Sequence, residues 1–132
     1  MAKRNVIRLN IEPVLYTIFG ISSHENDYRL SWSINEQMGL AFVQGKSLDA
    51  NDGKEFSCFV HEDEDLRIQL FSNRCDNGFL LDKYKNFDFI LKFDIELNET
   101  EINAWMRNLR KAPFVSAVFL IPLTKQIIQI LG

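Results

Sequence analysis

Residues 87–95, F-D-F-I-L-K-F-D-I, place Phe87, Phe89, Leu91, Phe93 and Ile95 at every second position. Between them stand Asp88, Ile90, Lys92 and Asp94. A period of two is that of a β-strand, whose successive side chains point to opposite faces. The segment therefore requires a sheet with one greasy face and one mostly wet face, and something must cover the greasy one.

Two segments have the period to do so. Ile102, Trp105, Met106 and Leu109 recur at the i, i+3, i+4, i+7 spacing of an amphipathic helix, which predicts a helix at about 99–110. Asn98 followed by Glu101 has the spacing of a capping box. Residues 22–39, SSHENDYRLSWSINEQMG, fit two templates. Tyr28, Leu30, Trp32 and Ile34 alternate as a strand would, while Leu30, Ile34 and Met38 form a stripe at helical spacing. Ser22 with Glu25 repeats the capping spacing, and Gly39 stands where a left-handed stop is wanted. The strand template explains none of these caps, so a helix is expected over about 24–38.

Strands are expected around the helices. Ile7, Leu9 and Ile11 alternate with Arg8 and Asn10 before Pro13 breaks the pattern, and 14–21 is nearly continuous apolar. Residues 40–43 make a short strand, followed by a polar loop over 44–54. Phe56, Cys58 and Val60, then Leu66, Ile68 and Leu70, form two arms around the charged tip His61–Asp65. Asp76-Asn77-Gly78 is a turn signal. Residues 115–121 are apolar on both faces, as in a central strand. The tail, 123–131, is short and greasy and fits either a helix or an edge strand. Each helix lies between two strands. The expected class is α+β: a mainly antiparallel sheet with two helices packed on one face, ferredoxin-like or ACT-like with extra strands. At 132 residues without linker or repeat, a single domain over 1–132 is expected.

Charge and composition narrow the partners. A net charge of −3 opposes non-specific nucleic-acid binding, which depends on clustered Lys and Arg. The longest apolar run, 117–122, is far short of a membrane span. The N-terminus lacks the apolar core of an export signal, so a cytoplasmic protein is expected, with no nucleic acid or membrane as partner. Cys58 and Cys75 match no zinc or redox spacing and are expected to be reduced thiols. Eleven of the sixteen aromatics are Phe, which has no polar handle and so favours packing over recognition.

Patterns that carry chemistry are sparse. The acidic run Glu62–Asp65 suits a solvated turn, because consecutive carboxylates splay apart whereas a cation wants converging oxygens. Asp49, Asn51 and Gly53 have the look of a calcium loop, but Gly53 replaces a ligand and Val60 stands at the closing glutamate. The stretch 39–43, GLAFV, overlaps an RNA-recognition signature but lacks two of its three stacking aromatics. His24 and His61 have no patterned nucleophile, and Cys58 and His61, three apart on a strand, should face opposite ways. No glycine spacing makes a phosphate loop. No catalytic residue, metal site or cofactor is expected.

Two surfaces stand out instead. On a helix, Tyr28, Trp32 and Asn35 share one edge with Arg29 beside it, and this broad apolar arc suits a ligand or partner surface. Ile127, Ile128, Ile130 and Leu131 in the tail must dock on their own core or on another chain, a candidate self-association contact.

GISS at 20–23, DYRLSW at 27–32, Asn35 and Gly39 resemble the N-terminal half of the small bacterial proteins named for an IPExxxVDY motif, and the segment order over most of the chain is similar. At the place of the naming motif stands Ala112-Pro113-Phe114-Val115-Ser116-Ala117-Val118-Phe119-Leu120, in which Pro113 and Val118 match and the motif's Glu, Asp and Tyr are replaced by Phe114, Phe119 and Leu120. The resemblance implies a kind of protein without an activity or catalytic residues to carry over. The expected function is that of a non-catalytic protein working through protein–protein contacts, with itself or a partner. The alternatives are an ACT-like small-molecule-binding regulatory domain, using Ser22, Ser23, Asn35 and the backbone near Gly20, or an enzyme resting on His61 and Cys58.

Overall fold

The structure is a computed structural model that describes residues 15–50 and 53–132. The expected strand at 7–11 and the middle of the calcium-like loop at 51–52 lie outside the described residues, as does Val14.

Its frame is a six-stranded sheet. The strands are β1 (Thr17–Ser22), β2 (Val43–Gln44), β5 (Cys58–Glu62), β6 (Arg67–Ser72), β9 (Phe89–Phe93) and β10 (Ala117–Ile121), in the spatial order β10-β1-β9-β6-β5-β2. Every pairing in it is antiparallel. Two small hairpins lie outside it: β3 (Leu48–Asp49) with β4 (Glu55–Phe56), and β7 (Arg74–Cys75) with β8 (Gly78–Phe79). Three helices complete the fold, α1 (Asp27–Met38), α2 (Glu99–Leu109) and α3 (Lys125–Leu131), along with a single 3-10 turn at Asp82–Tyr84. The chain is thus an α+β protein. β9 and β10 both flank β1 and are both antiparallel to it, so β9–α2–β10 is a crossover split by β1.

Pleating sorts the sheet residues into two cores. On the helix side, Phe19 and Ile21 of β1, Ile68 and Leu70 of β6, and Phe89, Leu91 and Phe93 of β9 meet Leu30 and Ile34 of α1 and Leu109 of α2. Phe93 sits edge-on to Phe19 at 5.6 Å and to Trp105 at 4.8 Å, a favoured aromatic geometry. The capping box at Asn98 is formed: its side chain accepts from Glu101 N, and the Glu101 carboxylate accepts from Asn98 N. The two long helices therefore lie together on one face.

The opposite face is covered too. Ile18, Phe71, Ile90 and Ile121 meet Leu80, Leu81 and Phe87 from the excursion after β6, and Ile127 and Leu131 from α3. The wet face expected for β9 is therefore only half wet. Lys92 is the polar residue there, with Nζ 4.5 Å from the centre of the Tyr16 ring. Burial draws its ammonium below the usual lysine range. Gly20 marks where the second layer comes closest, since a Cβ there would stand 2.3 Å from Phe87 Cδ2.

Three local expectations are corrected. Helix α1 starts at Asp27 with Asn26 as its cap, whose side chain accepts from Arg29 N at 2.9 Å. Ser22 cannot cap, because its carbonyl accepts from Ser116 N and it is paired in β1, while Ser23 Oγ accepts from Glu25 N. The 115–121 run is not central: β10 is an outer strand of the sheet, with Phe119 and Leu120 exposed. The open choice for the tail resolves as a helix, capped by Thr124 Oγ1 accepting from Ile127 N.

Candidate functional site

Helix α1 turns Leu30 and Ile34 into the core and leaves its next edge facing outward. Tyr28 is 69% exposed and Trp32 55%. Beside this edge runs the 40–44 segment, ending in β2, with Val43 65% exposed. Between helix and strand lies a groove of about 330 Å³, with Tyr28 and Trp32 on one wall, Val43 and Gln44 on the other, and Phe42 and Phe59 below.

The second wall is held by two side chains. Asn35 Oδ1 accepts from Phe42 N at 2.7 Å, and Asn35 Nδ2 donates to Phe42 O at 3.1 Å. The amide thus clamps one residue of the wall by both of its backbone groups. From β5, the buried His61 accepts from Ala41 N at its Nδ1, at 3.0 Å. With Nδ1 accepting, the neutral ring carries its proton on Nε2, which donates to Asp63 Oδ2 at 3.0 Å. The Phe42 ring lies 6.1 Å from the imidazole.

Of the four surface residues singled out in the sequence, the structure brings Tyr28 and Trp32 together as an exposed pair. Asn35 lines the groove, but its polar atoms are committed to Phe42, so its part is positioning. Arg29 belongs elsewhere: Nε is 3.5 Å from Glu25, and its guanidinium covers the Phe114 ring at 4.9 Å. That ring occupies the connection from α2 to β10, where Phe114 has a φ of 78°. A bulky residue in the left-handed region is strained and needs outside support. Here the support is the overlying Arg29 and the Ser33 hydroxyl, which donates to the Pro113 carbonyl.

The tail residues divide as well. Ile127 and Leu131 are buried in the second core, Ile128 is partly buried against it, and Ile130 is exposed beside a cavity of about 180 Å³ shared with Leu80 and Tyr84.

The remaining polar groups are engaged within the chain. Ser22, Ser23 and His24 border a cleft of about 800 Å³ at the start of α1. There Asp88 accepts from Ser23 N at 2.9 Å and pairs with Arg74 at 2.9 Å, and the Ser22 hydroxyl donates to Asn86 O at 3.3 Å. At the acidic tip, Asp63 Oδ1 accepts from Asp65 N and Leu66 N, each at 2.9 Å. The Asp65 N–H first, and then His61, hold its carboxyl below the usual range. Cys58 lies in the second core and its thiol is pushed up by burial, whereas His61 reaches Ala41 on the helix side. The two do not form a dyad. Among the described residues no three His, Cys, Asp or Glu side chains converge as metal ligands would, and no helix is long and apolar enough to cross a membrane.

Sequence reasoning missed Val43 and the roles of Asn35 and His61 as wall supports. The signal for Val43 was its place at the polar end of a short apolar run. For the two supports there was none, because each acts on backbone distant in the chain. No family model, curated protein or solved structure matches the chain.

Proposed function

We propose that the chain is a non-catalytic binding module of the cytoplasm that works through protein–protein contact, with the Tyr28–Trp32–Val43 groove as its contact surface. One observation carries this: three large side chains, each more than half exposed, gather around a single groove with braced walls. Tyr and Trp give large rigid contact area at small entropic cost, and each keeps a polar tip for a partner. Two free thiols, Cys58 and Cys75, accord with a reducing compartment. The proposal includes kinship with the IPExxxVDY proteins, supported by the residues quoted for it. The polar cleft beside Ser22 and Ser23 favours a second reading, a small-molecule sensor, which a thermal-shift screen of amino acids and nucleotides tests.

The contact surface is tested by substitution. Trp32→Ala and Tyr28→Ala alter exposed side chains, so each should change stability by no more than about 0.5 kcal/mol in urea denaturation. Immobilised wild-type chain exposed to lysate of the native host should retain a partner or a second copy of itself. The Trp32→Ala chain should bind that protein about thirtyfold more weakly, the loss expected of a hot-spot aromatic. Equal retention by both chains, with a Glu36→Ala control, would end the groove's claim.

A further inference from the structure

We propose that His61 is a titratable latch on the groove wall: a proton arriving at Nδ1 releases the 40–42 segment. This concerns regulation of the groove, so its bearing on binding rests on the function proposed above; the latch itself does not.

The geometry leaves Nδ1 only one state in which it can hold Ala41. The imidazole is buried, its Nε2–H points at Asp63, and its Nδ1 lone pair is filled by the Ala41 N–H. A proton taken from solvent has only that lone pair to occupy. The ring then carries N–H on both nitrogens and faces the Ala41 N–H donor to donor, so the hydrogen bond is lost. Ala41 is exposed, and its released N–H can turn to water. Release at the wall is therefore cheap, whereas restoring the bond requires the neutral ring.

The charged groups around His61 make protonation attainable. Asp63, on its own hairpin, contacts the ring and supports an imidazolium. Glu62 is the next residue along the strand, so it faces the other side of the sheet, where it pairs with Arg67 at 3.8 Å. The residue opposite on β6 is Ile68, and the 40–42 segment offers only a backbone N–H and the Phe42 ring. Behind that segment, α1 contributes the uncharged Asn35 and Met38, with Glu36 exposed. Asn35 does not titrate and keeps its two bonds to Phe42. The wall therefore swings about Phe42 without detaching, and Val43 moves relative to Trp32.

The test is an NMR titration of the free full-length chain from pH 8 to pH 5, the ordinary range for imidazole. The Ala41 amide should move upfield with the midpoint of the His61 ring nitrogens, and the Val43 methyls and Trp32 indole should follow it. His61→Asn places an amide oxygen near the Nδ1 position. That variant should hold Ala41 at every pH and abolish the shared transition. His61→Ala should show the released Ala41 signal throughout. An Ala41 amide that stays fixed while the His61 ring titrates overturns the latch, as does a ring that remains neutral to pH 5. A His61→Asn chain with the wild-type transition overturns it equally. Because no partner is present, none of these results depends on whether Trp32 is a contact residue.

Discussion

Asn73 is fully buried in the middle of a turn-rich stretch, and its amide is fully used. Nδ2 donates to Tyr84 O and Phe87 O, each at 2.9 Å, and Oδ1 accepts from Leu81 N at 2.8 Å. Its backbone N–H and carbonyl bond to Asp88 and Leu80. One side chain thus organises the excursion between β6 and β9 that supplies Leu80, Leu81 and Phe87 to the second core. Removing it strands three backbone groups away from water. At about 1 kcal/mol per bond, with a further penalty for buried groups left unpaired, Asn73→Ala should cost about 2–4 kcal/mol in urea denaturation. Asn73→Asp should be worse, because a carboxylate would face two carbonyl oxygens. A loss under 1 kcal/mol for the alanine variant would mean water replaces the amide. Nothing in S-N-R-C-D-N-G distinguishes this asparagine from Asn77 three bonds from the turn glycine, since its partners lie 8 to 14 residues away.

At the level of elements, legibility depended on whether a signal was local. The Asn98–Glu101 box was readable because both bonds close within one turn. The same spacing at Ser22–Glu25 misled, because β1 had already committed the Ser22 backbone to β10. An apolar run such as 115–121 tells of chemistry on two faces but not of lateral position in a sheet, and β10 proves to be an outer strand. The tail was ambiguous for a related reason. Isoleucine favours strands, while the four-residue step from Ile127 to Leu131 favours a helix, and burial of that pair decides. Deleting residues 124–132 should accordingly remove two core side chains. At about 1.5–3 kcal/mol each, the loss is about 3–6 kcal/mol, a large part of the stability of an ordinary domain. The urea midpoint should fall and the deleted chain should bind a hydrophobic dye. An unchanged midpoint would show that α3 is not part of the core. Self-association of the deleted chain would report an uncovered core, so it is no measure of a native interface.

For the whole molecule, the two-sided core predicts a gradient of stability across the sheet. Periodicity showed which residues of β9 share a face, but not that α3 and the Asn73 excursion would cover the other one, because those segments arrive from elsewhere in the chain. The consequence lies in the middle of the sheet. β1 is buried from Thr17 to Ile21, and β9 is buried except at Lys92. Both have strand partners on each side, and β6 joins them with Ile68, Leu70 and Phe71 buried. β2, β3, β4, β7 and β8 are two residues each. Backbone amides exchange through local opening at the margins and through global unfolding at the centre. Native-state hydrogen exchange in low denaturant should therefore find the slowest amides in β1, β9 and β6, at the free energy of global unfolding, with β7–β8 and the β2 wall exchanging earlier. A β2 wall that opens before the centre is also what a groove with an adjustable side requires. If the Val43 and Gln44 amides proved as slow as those of Leu91 and Ile90, the sheet would be uniformly rigid, and neither an adaptable groove nor a wall released from His61 would be tenable.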